Sequence, residues 1–141
     1  ASEIVAERKY LADRYNEAFM DLEWLQLPIT LQGYTHGNQS YPCLFQPKRT
    51  RAAVLNGDIS EIKAINLERN NWMEQLKQQG ISTRPATHAV HMLSYYQNKY
   101  QLQPVDFPNS LAANDCSISF PLFHGMSKEE QDFVIKIVKE F

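Results

Sequence analysis

The run Gly80-Ile81-Ser82-Thr83-Arg84-Pro85-Ala86-Thr87-His88-Ala89-Val90-His91-Met92-Leu93-Ser94-Tyr95-Tyr96 orders the rest of the chain around it. A helix-periodic stretch ends at Gly80, where a glycine supplies a left-handed C-terminal cap. Ile81 to Thr83 is β-branched or small and reads as a strand. Pro85 and Thr87 then mark a turn that carries Arg84, His88 and His91 just past the strand end, where a rigid scaffold displays functional side chains. Met92 to Tyr100 predicts a short helix, with Pro104 beyond it.

Upstream, the helix feeding Gly80 spans about 60–79. Asp58 or Ser60 caps it, and Ile62, Ile65, Trp72, Met73 and Leu76 share one face. Residues 47–57 are basic and read as a loop closed by Gly57-Asp58. Ser40 to Phe45 alternates as a strand, with Tyr41, Cys43 and Phe45 on one face. Pro42 cannot donate to a ladder, so this strand is expected at an edge or with a bulge. Leu25 to Leu27 is a short strand before Pro28, and residues 2–22 form an amphipathic helix on Ile4, Leu11, Tyr15, Ala18, Phe19 and Leu22.

Downstream, Pro108 to Asn114 reads as a helix and Cys116 to Phe120 as a strand. The final helix opens on a capping box of Ser127 and Glu130. Its buried stripe is expected to be Phe133, Val134, Ile137, Val138 and Phe141. The fold class is α+β: a small, mainly antiparallel sheet of three to four strands with helices packed mainly on one face. Residues 1–141 are expected to form a single domain.

A length of 141 residues suits that reading. Net charge is −2 with both signs interspersed, which argues against a nucleic-acid partner. No apolar run approaches the roughly 20 residues that span a bilayer, and the polar N-terminus lacks a signal peptide's apolar core. The two cysteines, Cys43 and Cys116, lie in β-like runs and read as buried free thiols, which points to the cytoplasm.

No Walker A loop, GxGxxG, GxSxG, HExxH or CxxC occurs. His88 and His91 are three apart but have no third ligand nearby, so no metal site is expected. An apolar strand would raise the thiol pKa of Cys116, which excludes it as a nucleophile. Lys48 to Arg51 reads as a solvated loop, and Tyr95, Tyr96 and Tyr100 as half-buried core. By themselves His88 and His91 fit either surface residues bonding their own turn or a displayed functional pair.

Several pieces in order resemble the small C-terminal domain of the DegT/StrS family of pyridoxal-phosphate-dependent sugar aminotransferases, which have the fold-type-I architecture. Arg69-Asn70, the Gly-Ile-Ser-Thr entry at 80–83, and His91 ahead of Tyr95-Tyr96 match in residue and spacing. So do Pro121-Leu122-Phe123-x-Gly125-Met126 with Glu129-Glu130, and upstream Gly33 through Tyr41. The resemblance covers essentially the whole chain, most specifically 69–130. Ala86 and Thr87 depart from it, standing where many members have histidine-tyrosine.

The resemblance implies a substrate wall built from His91, His88, Arg84, His36 and Tyr41, with no catalytic, cofactor-binding or metal-binding residue in this chain. Its cofactor, pyridoxal phosphate, belongs to the parent enzyme, because no lysine here stands in the context that holds it. The implied reaction moves an amino group from glutamate or glutamine onto a nucleotide-linked keto sugar. The implied partners are the large domain of the same enzyme or a second protomer, and a homodimer through exposed apolar surface. The chain alone is expected to be inactive. The alternative is a free-standing binding or partner-interaction module that keeps the fold.

Overall fold

Tyr41–Phe45 (β2) is the middle strand of an antiparallel sheet in the computed structural model, which describes residues 2–141. Leu25–Gln26 (β1) pairs with one side, Leu25 opposite Phe45. Ser117–Phe120 (β3) pairs with the other, Tyr41 opposite Phe120. Six helices complete the described residues: Ser2–Phe19 (α1), Pro47–Asn56 (α2), Ile59–Gln78 (α3), Ser94–Tyr100 (α4), Pro108–Asp115 (α5) and Lys128–Lys139 (α6). Single 3₁₀ turns stand at Val90–Met92 and Pro104–Asp106.

The central place of β2 corrects the expectation for Pro42. The Phe45 N–H donates to Cys116 O across β3, and the Gln46 N–H donates to Trp24 O on the other side. Odd positions therefore point their N–H groups at β3 and even positions toward β1. Because β1 is two residues long, it ends before it reaches Pro42. The proline's missing donor faces a side with no strand, so a central strand tolerates it without a bulge.

Tyr41, Cys43, Phe45, Ile118 and Phe120 bury one face of the sheet. Against it α1 sets Tyr15 and Phe19, which contact Tyr41 and Phe120 at ring-centroid distances of 5.0 and 5.6 Å. From α3, Trp72 stacks on Phe45 at 5.8 Å, and Trp24 and Phe141 each meet Trp72 within 5 Å. Burial of such side chains stabilises the fold by about 1.5–3 kcal/mol each. In α6, Val134 and Val138 are buried but Phe133 is exposed. The fully buried Gln131 replaces Phe133 in the stripe, donating to Leu11 O at 2.7 Å and accepting from Arg14 at 2.5 Å. The capping box forms as expected, with Glu130 N on Ser127 Oγ and Ser127 N on Glu130 Oε2.

The basic run is a helix, not a loop. Pro47 occupies the first turn of α2, where its fixed φ suits a helix, and Gly57 caps the end at φ 64°. Arg49 reaches Glu61 and Glu68 at 2.8 Å, which ties α2 to α3. A second tie joins α3 to the end of α5. The buried guanidinium of Arg69 donates to Asn114 O at 3.1 Å, to Ser117 O at 2.7 Å and to the side chain of Asn70. Asn66 adds a bond to Asp115 O. Helix C-termini leave carbonyls unpaired and carry partial negative charge, so an arginine there satisfies both.

Candidate functional site

Gly80, at φ 82°, closes α3 in a Schellman motif: Gly80 N donates to Lys77 O and Ile81 N to Leu76 O, with Ile81 and Leu76 both buried. The chain then runs beside β3, but Ile81 to Thr83 form no strand. A single bridge joins Arg84 to Ser119, with Ser119 N on Arg84 O at 2.8 Å. Pro85 follows with no N–H to offer, so pairing stops after one residue. Side chains then hold the turn down. Ser117 Oγ accepts from Ala86 N at 3.1 Å and Asn114 Oδ1 from Ala89 N at 3.0 Å.

These contacts separate the two histidines. His88 is exposed. His91 sits in the 3₁₀ turn, 5% exposed, with its ring 5.3 Å from Phe107 and its Nε2 without a partner among the described residues. Beyond it, α4 buries no residue, and Tyr95, Tyr96 and Tyr100 are exposed where half-buried core is expected. Its rings meet one another, Tyr95 with Tyr96 at 5.2 Å and Tyr96 with Tyr100 at 6.3 Å, and Gln97 reaches Met92 Sδ in the preceding turn.

An open groove of about 300 Å³ lies where the bridge meets the sheet. Gln39, Ser40, Ser82, Thr83, Arg84 and Ser119 form its polar wall, and the run from Phe120 to Phe123 forms the rest. From α1, Arg8 fastens two sides of this groove together, donating to Asn38 O at 3.2 Å, Gln39 O at 2.6 Å and Leu122 O at 3.5 Å. Its neighbour Glu7 holds the following turn, accepting from Gly125 N at 2.7 Å and bonding the His124 ring. The Gly125 amide, then His124, keep the Glu7 carboxyl below its usual pKa. Tyr15 binds Pro121 O at 2.8 Å beneath the same turn.

Of the five residues named for the substrate wall, Arg84 lines this groove. Tyr41 is fully buried at its base-strand position, its hydroxyl on Asn16 Oδ1 at 2.7 Å, and burial pushes its phenol well up. His36 is exposed in a separate polar hollow between α1 and the 30–38 loop, bonded to Asn38 at 2.9 Å. The five are not one cluster. Sequence reading missed Ser119, although the alternation Ser117, Ile118, Ser119, Phe120 marks the two serines as one face. It also missed Arg8, whose partners lie 30 to 114 residues away and leave no local signal.

A lysine that holds pyridoxal phosphate needs a desolvated pocket. All eight lysines here are exposed on helices, and Lys9, Lys48 and Lys77 pair with Asp13, Glu23 and Glu74. None lines the groove beside Arg84. Among the described residues no lysine stands in such a pocket. Both cysteines are buried free thiols, with Cys116 pushed up to about 11 by burial. Among the described residues no cluster of three or more His, Cys, Asp or Glu could hold a metal, and no helix is long and apolar enough to cross a membrane.

A model of the DegT/DnrJ/EryC1/StrS aminotransferase family matches residues 1–139, and the chain belongs to that family. Its members are pyridoxal-phosphate-dependent aminotransferases. Over 133 residues the chain is 28% identical to the spore coat polysaccharide biosynthesis protein SpsC of Bacillus subtilis, covering 94% of this chain and 31% of SpsC. Among solved structures, Spr1654 from Streptococcus pneumoniae in its PLP form superposes with a TM-score of 0.78 at 19% identity, over 99% of this chain and 31% of that one. PseC of Helicobacter pylori, an aminotransferase involved in the biosynthesis of pseudoaminic acid, gives 0.74 at 16% identity over 99% and 33%. At such identity the structures establish the shared fold. The chain spans about a third of the length of these relatives.

Proposed function

We propose that residues 1–141 are the C-terminal small domain of a pyridoxal-phosphate-dependent sugar aminotransferase and close one side of its substrate cleft. The observation that carries this reading is a family match running almost end to end through a chain that spans 31% of its curated relatives. The substrate in this reading is a keto sugar on a nucleotide, with glutamate or glutamine as amino donor. The involvement of SpsC in polysaccharide biosynthesis and of PseC in that of pseudoaminic acid supports sugar chemistry. Pyridoxal phosphate, held by the rest of the enzyme, supplies the electron sink for amino transfer.

In this reading the chain's own residues bind and orient the sugar. Arg84 meets it at the end of the sheet, while His88 and His36 stand exposed on separate segments. Tyr41 holds the strand entry through Asn16. His91, buried against Phe107, stands in the turn beyond His88. The open surface from Val90 to Phe107 supports a larger assembly, since Val90, Leu93, Tyr95, Tyr100, Val105 and Phe107 are each at least half exposed. Apolar surface of that extent is ordinarily covered. Two free buried thiols suit a reducing compartment, so we place the enzyme in the cytoplasm.

Intact-mass measurement on the protein from its source tests the reading. The expected result is a polypeptide, or a tight complex, about three times the size of this 16.3 kDa chain, carrying pyridoxal phosphate and transferring an amino group from glutamate to a nucleotide-linked keto sugar. A free 16.3 kDa protein with no cofactor-bearing partner would sink it and favour a stand-alone binding module.

A further inference from the structure

The chain contains six arginines, and five have their guanidinium groups engaged. Arg8 binds backbone carbonyls of Asn38, Gln39 and Leu122. Arg14 binds Gln131 and Asp132, Arg49 binds Glu61 and Glu68, and Arg51 binds Gln26. Arg69 is spent on Asn70, Asn114 and Ser117. Arg84 alone makes no side-chain hydrogen bond or ion pair with any described residue. It stands in the groove whose other polar lining is neutral, Gln39, Ser40, Ser82, Thr83 and Ser119, and no carboxylate lines that groove.

We propose that this groove is an oxyanion subsite, with Arg84 as the pairing ligand for a carboxylate or phosphate group of a small substrate. A guanidinium presents two parallel N–H donors that match such an oxyanion. The root of Arg84 is held by its bridge to Ser119, so the side chain starts from a fixed point. Ser119 is 5% exposed yet lines the groove, and the Thr83 hydroxyl is buried with no partner among the described residues. Hydroxyls are the neutral donors an oxyanion needs beside a single cation. Glu74 and Lys77, of opposite charge, line the adjoining hollow that Ser82 and Thr83 share. Arg8 stands where two sides of the groove meet, and Glu7 is already bound to Gly125 N and the His124 ring.

The subsite takes its biological meaning from the reading of this face as part of the substrate cleft, but the binding itself rests on geometry. Two sources carry the chemistry: the carboxylate of an amino-acid donor, or the phosphate of a nucleotide-linked sugar. The test is an NMR titration of the ¹⁵N-labelled chain with glutamate, inorganic phosphate and uridine diphosphate in separate arms. We expect saturable shifts at the amides of Ser82 to Arg84 and Ser119 to Phe123 and at Arg84 Nε. Loss of the charge-assisted pair in Arg84→Gln should weaken binding by about tenfold or more. Arg84→Lys, which keeps the charge without the fork, should fall between, and it keeps the test decisive where Arg84→Gln fails to fold. Leu55→Ala, on the groove between α2 and α5, should bind as wild type.

Saturation by glutamate before phosphate assigns the carboxylate, and the reverse order assigns the phosphate. Shifts that never saturate in any arm, or that persist equally in Arg84→Gln and Arg84→Lys, overturn the subsite. An active full-length enzyme with no such binding would reject the subsite and keep the proposed function. Saturable binding by a chain that never associates with a cofactor-bearing part would do the opposite.

Discussion

Arg69 and Arg84 lie fifteen residues apart in the chain and at opposite extremes of environment. Arg69 is 3% exposed and its donors are consumed by the end of α5, the start of β3 and Asn70. Burial pulls its guanidinium below the usual value, and the nearby charge of Asp115 partly offsets this. Arg84 is exposed on a groove and its donors are unspent. The same side chain therefore serves as an internal clamp in one place and stands with open donors in the other. A buried polar group is stabilising only when fully satisfied. The comparison teaches that arginine's role here is legible from where its N–H groups go, not from its position in the fold.

Replacing the clamp should have the largest effect. Arg69→Ala removes donors from Asn114 O and Ser117 O, and we expect a loss of about 2–4 kcal/mol in urea unfolding. A loss below about 1 kcal/mol would show that water replaces the guanidinium and would break the contrast with Arg84. Gln131 in α6 sharpens the same point without a charge, because it too is spent inside, on Leu11 O and Arg14. Gln131→Ala should cost about 1–3 kcal/mol by the same measurement.

Smaller effects are expected toward the groove. Glu7 has a lowered folded pKa, so its contribution is present above the unfolded value of 4.5 and fades as pH falls through the lowered one. The melting temperatures of wild type and Glu7→Gln should differ at pH 7 and converge as pH falls through the lowered value. A gap that stays constant across that range would remove Glu7 from the account of this turn. The smallest change in stability should come from Arg84→Gln, within about 0.5 kcal/mol of wild type. A large destabilisation there would make Arg84 a second clamp and erase the difference between the two arginines.

Local chemistry was readable where neighbours in sequence are partners in space. Asp58 caps α3 through Glu61 N, Ser127 and Glu130 form the capping box, and Gly80 adopts the left-handed φ that ends α3. Each of these is settled within three or four residues. The α2 helix escaped notice because its basic composition outweighed Pro47, which initiates rather than breaks a helix. Ile81 to Thr83 has strand composition but pairs only at Arg84, since a strand needs a partner along its length and Pro85 ends the pairing.

By itself the sequence determined the periodic helices, their caps, the alternating face of β2 and the run of pieces that resembles the aminotransferases. It also determined that Arg84 follows a helix stop and precedes a proline. Only the tertiary structure decided that β2 is central, with Pro42 facing past the end of β1. It likewise decided that His91 is buried while His88 is not, and that Arg8 joins carbonyls from loops 30 and 114 residues away. Caps and periodicity are short-range and are written in neighbouring residues. Strand order, burial and the free donors of Arg84 depend on which distant groups arrive, and that is set by packing.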